Sequence, residues 1–141
     1  MNIEIFSLCD AATVEGSGKL NVLGAFDSIW TSQMPAVYPQ CAIALRIRFE
    51  SIERGSHRVA VNFVDLDGKH IIPSANGIIN INFLDKQRSG SANLVLNLQM
   101  LKLENFGEYS IDLAIDSRKE ASLPLFVRES KPTNATPGAR A

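Results

Sequence analysis

The sequence predicts an all-β fold, a two-layer antiparallel sandwich with an added N-terminal hairpin. In several segments, apolar residues recur at every second position, which is the period of a strand that buries one face. These segments are short, and turn residues separate them at regular intervals. Residues 94–111 read LVLNLQMLKLENFGEYSI, a strand, a turn and a second strand that opens with a tyrosine, which is typical of Greek-key sandwiches.

The first third of the chain predicts the added hairpin. Residues 2–14 and 19–30 are its arms, and residues 15–18 form its glycine-rich turn. Gly24 interrupts the second arm and indicates a bulge or a crossover. Residues 31–40 contain two prolines, so we expect a loop that leads to the next strand.

The middle of the chain predicts a run of strands. Residues 41–50 and 57–66 each alternate between apolar and more polar side chains. The dipeptide Asp67-Gly68 is a strong hairpin signal, and it leads to the short run 69–72, which Pro73 ends.

Residues 79–83 predict another strand, and residues 93–104 allow two interpretations. Four apolar residues alternate from Leu94 to Met100, which favours a strand. The apolar phase then shifts at Leu101, which favours a short helical turn before Gly107.

The last two strands are predicted at 109–116 and 122–127, with a turn at 117–120 between them. Pro124 lies inside the final strand. Because proline has no amide hydrogen to donate, we expect that strand at the edge of a sheet.

Length and composition predict one ordinary globular domain. The chain has 141 residues, and we expect a single sandwich domain at 1–128. Residues 129–141 contain two prolines and no large apolar side chain, which predicts a disordered tail. The formal net charge of −1 gives no basic surface, which argues against nucleic acid as a partner.

Neither a signal peptide nor a transmembrane stretch is evident in the sequence. We therefore expect a cytoplasmic protein without membrane association. Cys9 and Cys41 lie in strand-like segments, and we expect them to be buried free thiols.

The tyrosine corner resembles the E–F region of immunoglobulin-like domains. In such corners the tyrosine hydroxyl bonds back to nearby backbone. The resemblance implies an immunoglobulin-like Greek-key sandwich in which Tyr109 has that role and Gly107 adopts a positive φ. Ile111 stands where antibody domains have a cysteine, so the implied sandwich has no inter-sheet disulfide. The residues that carry the resemblance are Leu96, Leu98, Leu101, Asn105, Gly107, Tyr109 and Ile111.

Over most of its length the chain also resembles an uncharacterised bacterial family of short β-sandwich proteins. That family has no assigned activity, so the resemblance implies a fold and no mechanism. The segments that carry it are 8–12, 19–27, 45–49, 67–69 and 106–109.

One group of residues suggests a metal site. His57 and His70 flank the predicted hairpin turn from opposite arms, and Asp65 lies near the turn. Two histidines fall short of the three or four protein ligands of a zinc site. We therefore prefer solvated hairpin residues, and we predict no metal and no cofactor.

Two groups of residues could serve binding. Trp30, Met34, Val37 and Tyr38 surround the two prolines of the predicted 31–40 loop. Aromatic and methionine side chains are enriched at interfaces. The alternative is that this loop folds back and caps the open end of the sandwich.

Arg46 and Arg48 share one face of a strand and could receive an acidic partner. The alternative is a solvated face on which they pair with acidic residues of an adjacent strand.

No nucleophile, base and orienting residue occur in a recognisable arrangement, so we predict that the protein is not an enzyme. The favoured function is a non-catalytic binding or assembly module of a bacterial cell. A protein partner or a second copy would bind through an edge strand or the 31–40 loop. The alternatives are a small metal-dependent hydrolase that uses His57, His70 and Asp65, and a sandwich that binds carbohydrate or another small ligand.

Overall fold

The computed structural model describes residues 1–130, which form nine strands, one short 3-10 helix and no α-helix. From residue 131 onward, the predicted tail lies outside the described residues. No helix among residues 1–130 is long and apolar enough to cross a membrane. The strands are β1 Asn2–Val14, β2 Leu20–Ala25, β3 Ser28–Thr31, β4 Ala36–Glu50, β5 Gly55–Asp65, β6 Ala75–Ile81, β7 Ser89–Leu103, β8 Gly107–Ile115 and β9 Arg118–Glu129, and the 3-10 helix is Ser51–Glu53.

The strands form two sheets. A four-stranded sheet has the order β2-β1-β4-β7, and a five-stranded sheet has the order β3-β9-β8-β5-β6 and curls into a half-barrel. All neighbouring strands are antiparallel except β3 and β9, which are parallel. The prediction of an all-β protein with two sheets is confirmed, and the prediction of uniformly antiparallel pairing is wrong at β3.

The hydrophobic core lies between the sheets. Every second residue of β4, from Ile43 to Phe49, points inward, and β5 and β8 face it with Phe63 and Ile111. Burial of these side chains supplies the main driving force for folding. The largest fully buried side chains are those of Phe49, Phe63, Ile43, Ile47, Leu101, Leu103, Ile111, Leu113, Leu125, Cys9 and Cys41.

The predicted N-terminal hairpin is present, but its second arm is shorter than expected. Residues 9–14 of β1 pair with β2, and the chain then crosses to the other sheet, where β3 pairs with β9. Gly24 lies just before this crossing with φ 70°, and a Cβ there would lie 2.5 Å from Oδ2 of Asp10. The positive φ favours glycine, and the chain leaves β2 for the other sheet one residue later, at Ala25, in agreement with the crossover interpretation of Gly24.

The tip of this hairpin folds over the outer face of the four-stranded sheet. The side-chain amide of Asn93 on β7 donates a hydrogen bond of 2.6 Å to the carbonyl of Gly18. Ala42 and Ala44 point outward from β4, yet they are buried with Cys9 in a second small cluster. The added hairpin therefore protects a face of the sheet that would otherwise be in solvent.

Residues 31–40 are not a loop throughout, because β4 begins at Ala36. Opposite Pro39, Met100 of β7 has φ 53°, the left-handed conformation. At this point the inward-facing positions of β7 change from Leu98 to Leu101. The predicted helical turn is therefore wrong, and one left-handed residue within a continuous strand explains the shift in apolar phase.

The turn after β5 is built by Asp65. Its carboxylate accepts hydrogen bonds of 2.9 Å from the backbone amides of both Asp67 and Lys69. Gly68 has φ 81°, which glycine adopts without strain. The hairpin signal at Asp67-Gly68 is thus confirmed as a turn.

The position of Pro124 was predicted incorrectly. β9 lies between β3 and β8, so it is not an edge strand. However, β3 pairs only with residues 126–129, and the amide of Phe126 donates to the carbonyl of Asp27. Pro124 lies two residues before Phe126, so its backbone nitrogen points to the side where β3 lies. Because β3 does not extend as far as Pro124, no β3 carbonyl lacks a donor there, and no hydrogen bond is lost.

The hydrogen bonds of the tyrosine corner are present. The Tyr109 hydroxyl donates to the carbonyl of Asn105 at 2.7 Å and accepts from the amide of Asn105 at 3.1 Å. Tyr109 is buried, and Gly107 has φ 126°. One hydroxyl therefore satisfies both backbone groups of the turn residue between β7 and β8.

Replacing Tyr109 by phenylalanine is expected to lower the free energy of unfolding by about 1 kcal/mol, because the backbone of Asn105 loses both partners. Urea denaturation measures this change. The matched control is Tyr38→Phe, since the Tyr38 hydroxyl lies 3.5 Å from Asp10 in an exposed contact, and little change is expected there. Equal stabilities of Tyr109→Phe and the wild type would show that the corner hydrogen bonds do not hold the turn.

Candidate functional site

The longest edge strand of the described residues is β7, at one side of the four-stranded sheet. This strand pairs with β4 from Ser89 to Leu103, and no strand of the described residues pairs with its other side. Its free side therefore presents unpaired amide and carbonyl groups. Residues 89–101 carry no charge, so the charged side chains that often protect an edge strand are missing. The sequence-based prediction missed this strand as a site, although the uncharged run was a signal for it.

An apolar groove of about 160 Å³ lies between β7 and β6, the edge strand of the other sheet. Leu94 and Leu96 line it from β7, and Ile79 lines it from β6. Leu94 is 37% exposed, so the groove connects the core to solvent. Its aliphatic walls could accept aliphatic side chains from a strand added beside β7.

Trp30 lies on β3, the edge strand at the far side of the five-stranded sheet, and is 55% exposed. The guanidinium of Arg128 lies 5.7 Å from the Trp30 ring centroid and 4.9 Å from that of Phe126. These are cation–π contacts. Exposed tryptophan and arginine are common in protein interfaces. The alternative of carbohydrate binding is less well supported at Trp30, because Arg128 already covers part of the indole face on which a sugar would stack.

Met34 and Tyr38, predicted to act with Trp30, have a different environment. Both are partly buried and pack against the core. The Tyr38 ring lies 5.5 Å from that of Phe26. Met34 and Tyr38 therefore fit the interpretation in which this segment caps the core, whereas Trp30 fits the interpretation of an exposed interface residue.

Arg46 and Arg48 lie together on the outer face, as predicted, and Glu4 of the adjacent strand β1 joins them. Nε of each arginine donates to a different carboxylate oxygen of Glu4, both at 2.8 Å. Arg46 also donates to the side chain of Asn93, and Arg48 donates to Ser89. Hydrogen bonds from Arg48 and Arg46 hold the pKa of Glu4 below its ordinary value. The arginines therefore form the intramolecular pairing that was the alternative prediction, and an acidic partner would have to displace Glu4.

His57 lies at the start of β5 in a closed network. Nδ1 contacts a carboxylate oxygen of Asp116 at 2.7 Å, and Nε2 contacts the carbonyl of Glu53 at 2.5 Å. Both partners only accept hydrogen bonds, so both ring nitrogens must donate, which only the protonated imidazolium does. The ring also stacks on buried Phe49, with 4.7 Å between the ring centroids. The hydrogen bonds to Asp116 and to the Glu53 carbonyl raise the pKa of His57.

His70 and Asp65 lie at the other end of β5. His70 pairs with Val64, seven residues along the strand from His57, so the two histidines are roughly 23 Å apart at about 3.3 Å per residue. Asp65 uses its carboxylate for the turn. Among residues 1–130, no three side chains of histidine, cysteine, aspartate or glutamate come together as metal ligands. The hydrolase alternative based on His57, His70 and Asp65 therefore lacks the geometry that it requires.

Cys9 and Cys41 are buried free thiols, as predicted. They belong to different clusters, because Cys41 faces the core and Cys9 faces the outer side of the sheet. Burial raises the pKa of Cys41 to about 11 and also raises the pKa of Cys9. Neither thiol has the lowered pKa of a reactive cysteine.

Together, these features define a small all-β protein with two packed sheets and an uncharged edge at β7. The chain belongs to a family described as "Family of unknown function (DUF6941)", whose model matches residues 4–128. The expected membership of a family without an assigned activity is thereby confirmed. No curated protein matches the chain.

Two solved structures show weak similarity. One is a β-glucosidase from Listeria innocua in complex with isofagomine, with 10% identity and a TM-score of 0.48; the match covers 89% of this chain and 16% of that protein. The other is the alkylpurine DNA glycosylase AlkC of Pseudomonas fluorescens bound to DNA containing an abasic site analog, with 11% identity and a TM-score of 0.37; the match covers 72% of this chain and 28% of that protein. The chain thus spans a small part of either protein, and neither similarity carries a functional argument.

Proposed function

We propose that the protein is a non-catalytic binding or assembly module that engages a protein through the free edge of β7. The observation that carries this proposal is the unpaired, uncharged edge beside an apolar groove. An added strand would satisfy the exposed backbone groups of β7, and its alternate side chains would enter the groove. Main-chain hydrogen bonds would then contribute affinity, and the groove would contribute specificity.

We also infer an immunoglobulin-like Greek-key fold. Support comes from the strand orders: β1-β4-β7 corresponds to strands A, B and E, and β9-β8-β5-β6 corresponds to G, F, C and C′. The Tyr109 hydrogen bonds add support, since they occur between the strands that correspond to E and F. In the constant-type arrangement, strand D pairs with the edge that β7 leaves open. The proposed binding edge is therefore a place where related sandwiches hold a strand of their own.

The proposed setting is the bacterial cytoplasm. The two free thiols support this choice, because a reducing compartment keeps cysteines unpaired.

Affinity capture with an edge variant as control tests the proposed function. Wild-type protein is expected to retain a protein partner from its host, and Leu94→Lys should release it because a lysine at the groove mouth opposes an apolar strand. The matched control is Ile52→Lys, since Ile52 is 89% exposed on the 3-10 helix that follows β4, at the Ser89 end of β7 and outside the groove. Hydrogen exchange on the captured complex should then show new protection in residues 89–103.

A different pattern of protection would contradict this assignment. Protection confined to β3, together with loss of binding in Trp30→Ala, would move the interface to the cluster of Trp30, Phe126 and Arg128. Capture that is equal for wild type, Leu94→Lys and Trp30→Ala would overturn binding through either edge.

A further inference from the structure

The centre of the free edge is a palindrome. Residues 93–97 of β7 read Asn-Leu-Val-Leu-Asn, the same in both directions about Val95. In an antiparallel pair of identical strands related by a two-fold axis, each residue lies opposite the residue at the mirrored position. An axis at Val95 therefore places Leu94 opposite Leu96 of a second copy, and Asn93 opposite its Asn97.

The faces of the strand agree with this register. The side chains of Leu94 and Leu96 line the groove. Asn93, Val95 and Asn97 alternate with them on the outer face, where Val95 packs against the second small cluster. Leucine would thus meet leucine on the groove side, and asparagine would meet asparagine on the outer side. A shift of one residue would instead bring Leu94 opposite Asn97 and Leu96 opposite Val95, which mixes the two faces.

The charge and shape of the edge favour the same pairing. No charged residue occurs between 89 and 101, so two copies would bring no like charges into register. Leu94 is partly exposed at the mouth of the groove, and Leu96 of the second copy would lie directly beside it. Pairing would therefore cover the exposed aliphatic surface as well as the unpaired backbone.

We propose that the partner at this edge is a second copy of the same chain, joined by antiparallel β7–β7 pairing about Val95 into one continuous eight-stranded sheet. This proposal rests on the proposed function and names its partner. It is a closed, isologous contact, so it produces a dimer and not a fibre.

Cysteine crosslinking tests the register. The purified protein is expected to sediment at twice the chain mass of 15.4 kDa. Val95→Cys should crosslink on oxidation, because residues directly opposite one another have Cβ atoms about 4.5–5.5 Å apart. Gln99→Cys is the matched control on the same strand and face. Two copies of residue 99 would be separated by eight residues, roughly 27 Å, which no disulfide can span.

Leu94→Lys provides a second test that needs no oxidation. It should shift the protein to the monomer mass while its urea midpoint remains near that of the wild type, and Ile52→Lys should remain dimeric.

Several outcomes would overturn the β7–β7 pairing about Val95. The first is a wild-type protein that stays monomeric at about 1 mM, a concentration at which even a weak complex forms. The second is a Leu94→Lys protein that stays dimeric. The third is a dimer in which Gln99→Cys crosslinks and Val95→Cys does not. A monomeric protein that still captures another protein through residues 89–103 would overturn the dimer and leave the proposed function standing. A monomer that captures nothing would overturn both.

Discussion

Replacing Phe63 by alanine is expected to lower the free energy of unfolding by about 3–5 kcal/mol, a large part of the stability of an ordinary domain. Phe63 is fully buried on β5, and its ring packs edge-to-face on Tyr109, with 6.4 Å between the ring centroids. The substitution would leave a cavity where the two sheets meet the tyrosine corner. Urea denaturation followed by circular dichroism measures the loss.

Two further variants make this result interpretable. Phe63→Leu keeps much of the volume and should cost less than about 1.5 kcal/mol, so it remains measurable even if Phe63→Ala does not fold. Phe106→Ala is the matched control, since Phe106 is 39% exposed, and its cost should be far smaller. Equal losses at positions 63 and 106 would mean that the packing around Phe63 does not hold the two sheets together.

Replacing His57 by glutamine is expected to cost about 2–3 kcal/mol near neutral pH, because hydrogen bonds to charged groups are the stronger ones. The carboxylate of Asp116 would lose its cation and the carbonyl of Glu53 would lose its donor. Asp116 retains the backbone amide of Arg58, at 2.9 Å, so the turn itself should persist. The matched control is His70→Gln, since His70 is exposed and its replacement should change stability by less than about 0.5 kcal/mol.

The contribution of His57 should depend on pH in a defined direction. Its pKa is raised above the ordinary 6.5, first by Asp116 and then by the Glu53 carbonyl. The folded protein therefore binds the proton more tightly than the unfolded chain does, so the full contribution is present below about pH 6.5 and is lost as the pH rises through the folded pKa.

Asp116 behaves in the opposite sense. The hydrogen bond from His57, and then that from the Arg58 amide, lower its pKa below the ordinary 3.8. Its contribution is present above that value and is lost as the pH falls through the lower folded pKa. The difference in stability between wild type and His57→Gln should therefore be largest between about pH 5 and about pH 6.5. A difference that is constant from pH 5 to about pH 9 would exclude a charged His57.

The strands, several turns and the tyrosine corner were predictable because each depends on residues close together in the chain. Alternation along β4 and β8 reports which side chains face the core, and Tyr109 bonds Asn105 only four residues away. The hairpin signal at Asp67-Gly68 is local in the same sense. The predicted helical turn was wrong because a single left-handed residue, Met100, and a helical turn produce the same shift in the positions of the apolar residues.

The candidate site was less accessible to prediction. Trp30 was recognised as an interface residue, and it is exposed, but its partner Arg128 is almost one hundred residues away in the chain. The free edge of β7 was not recognised, because the neighbours of a strand depend on the strand order. Pro124 suggested an edge at β9, yet β3 crosses from the N-terminal hairpin and pairs beside it.

The all-β class follows from local sequence, because a period-two pattern buries one face of each strand and so requires two sheets to pack together. The residues that act together are set by the assembled fold. His57 meets Asp116 across 59 residues, and Arg46 meets Glu4 across 42. The assembled fold also places β7, with its palindromic centre, at an edge. Local patterns define each strand and its buried face, whereas the order and register of the strands depend on contacts between distant segments, and those contacts form only in the assembled core.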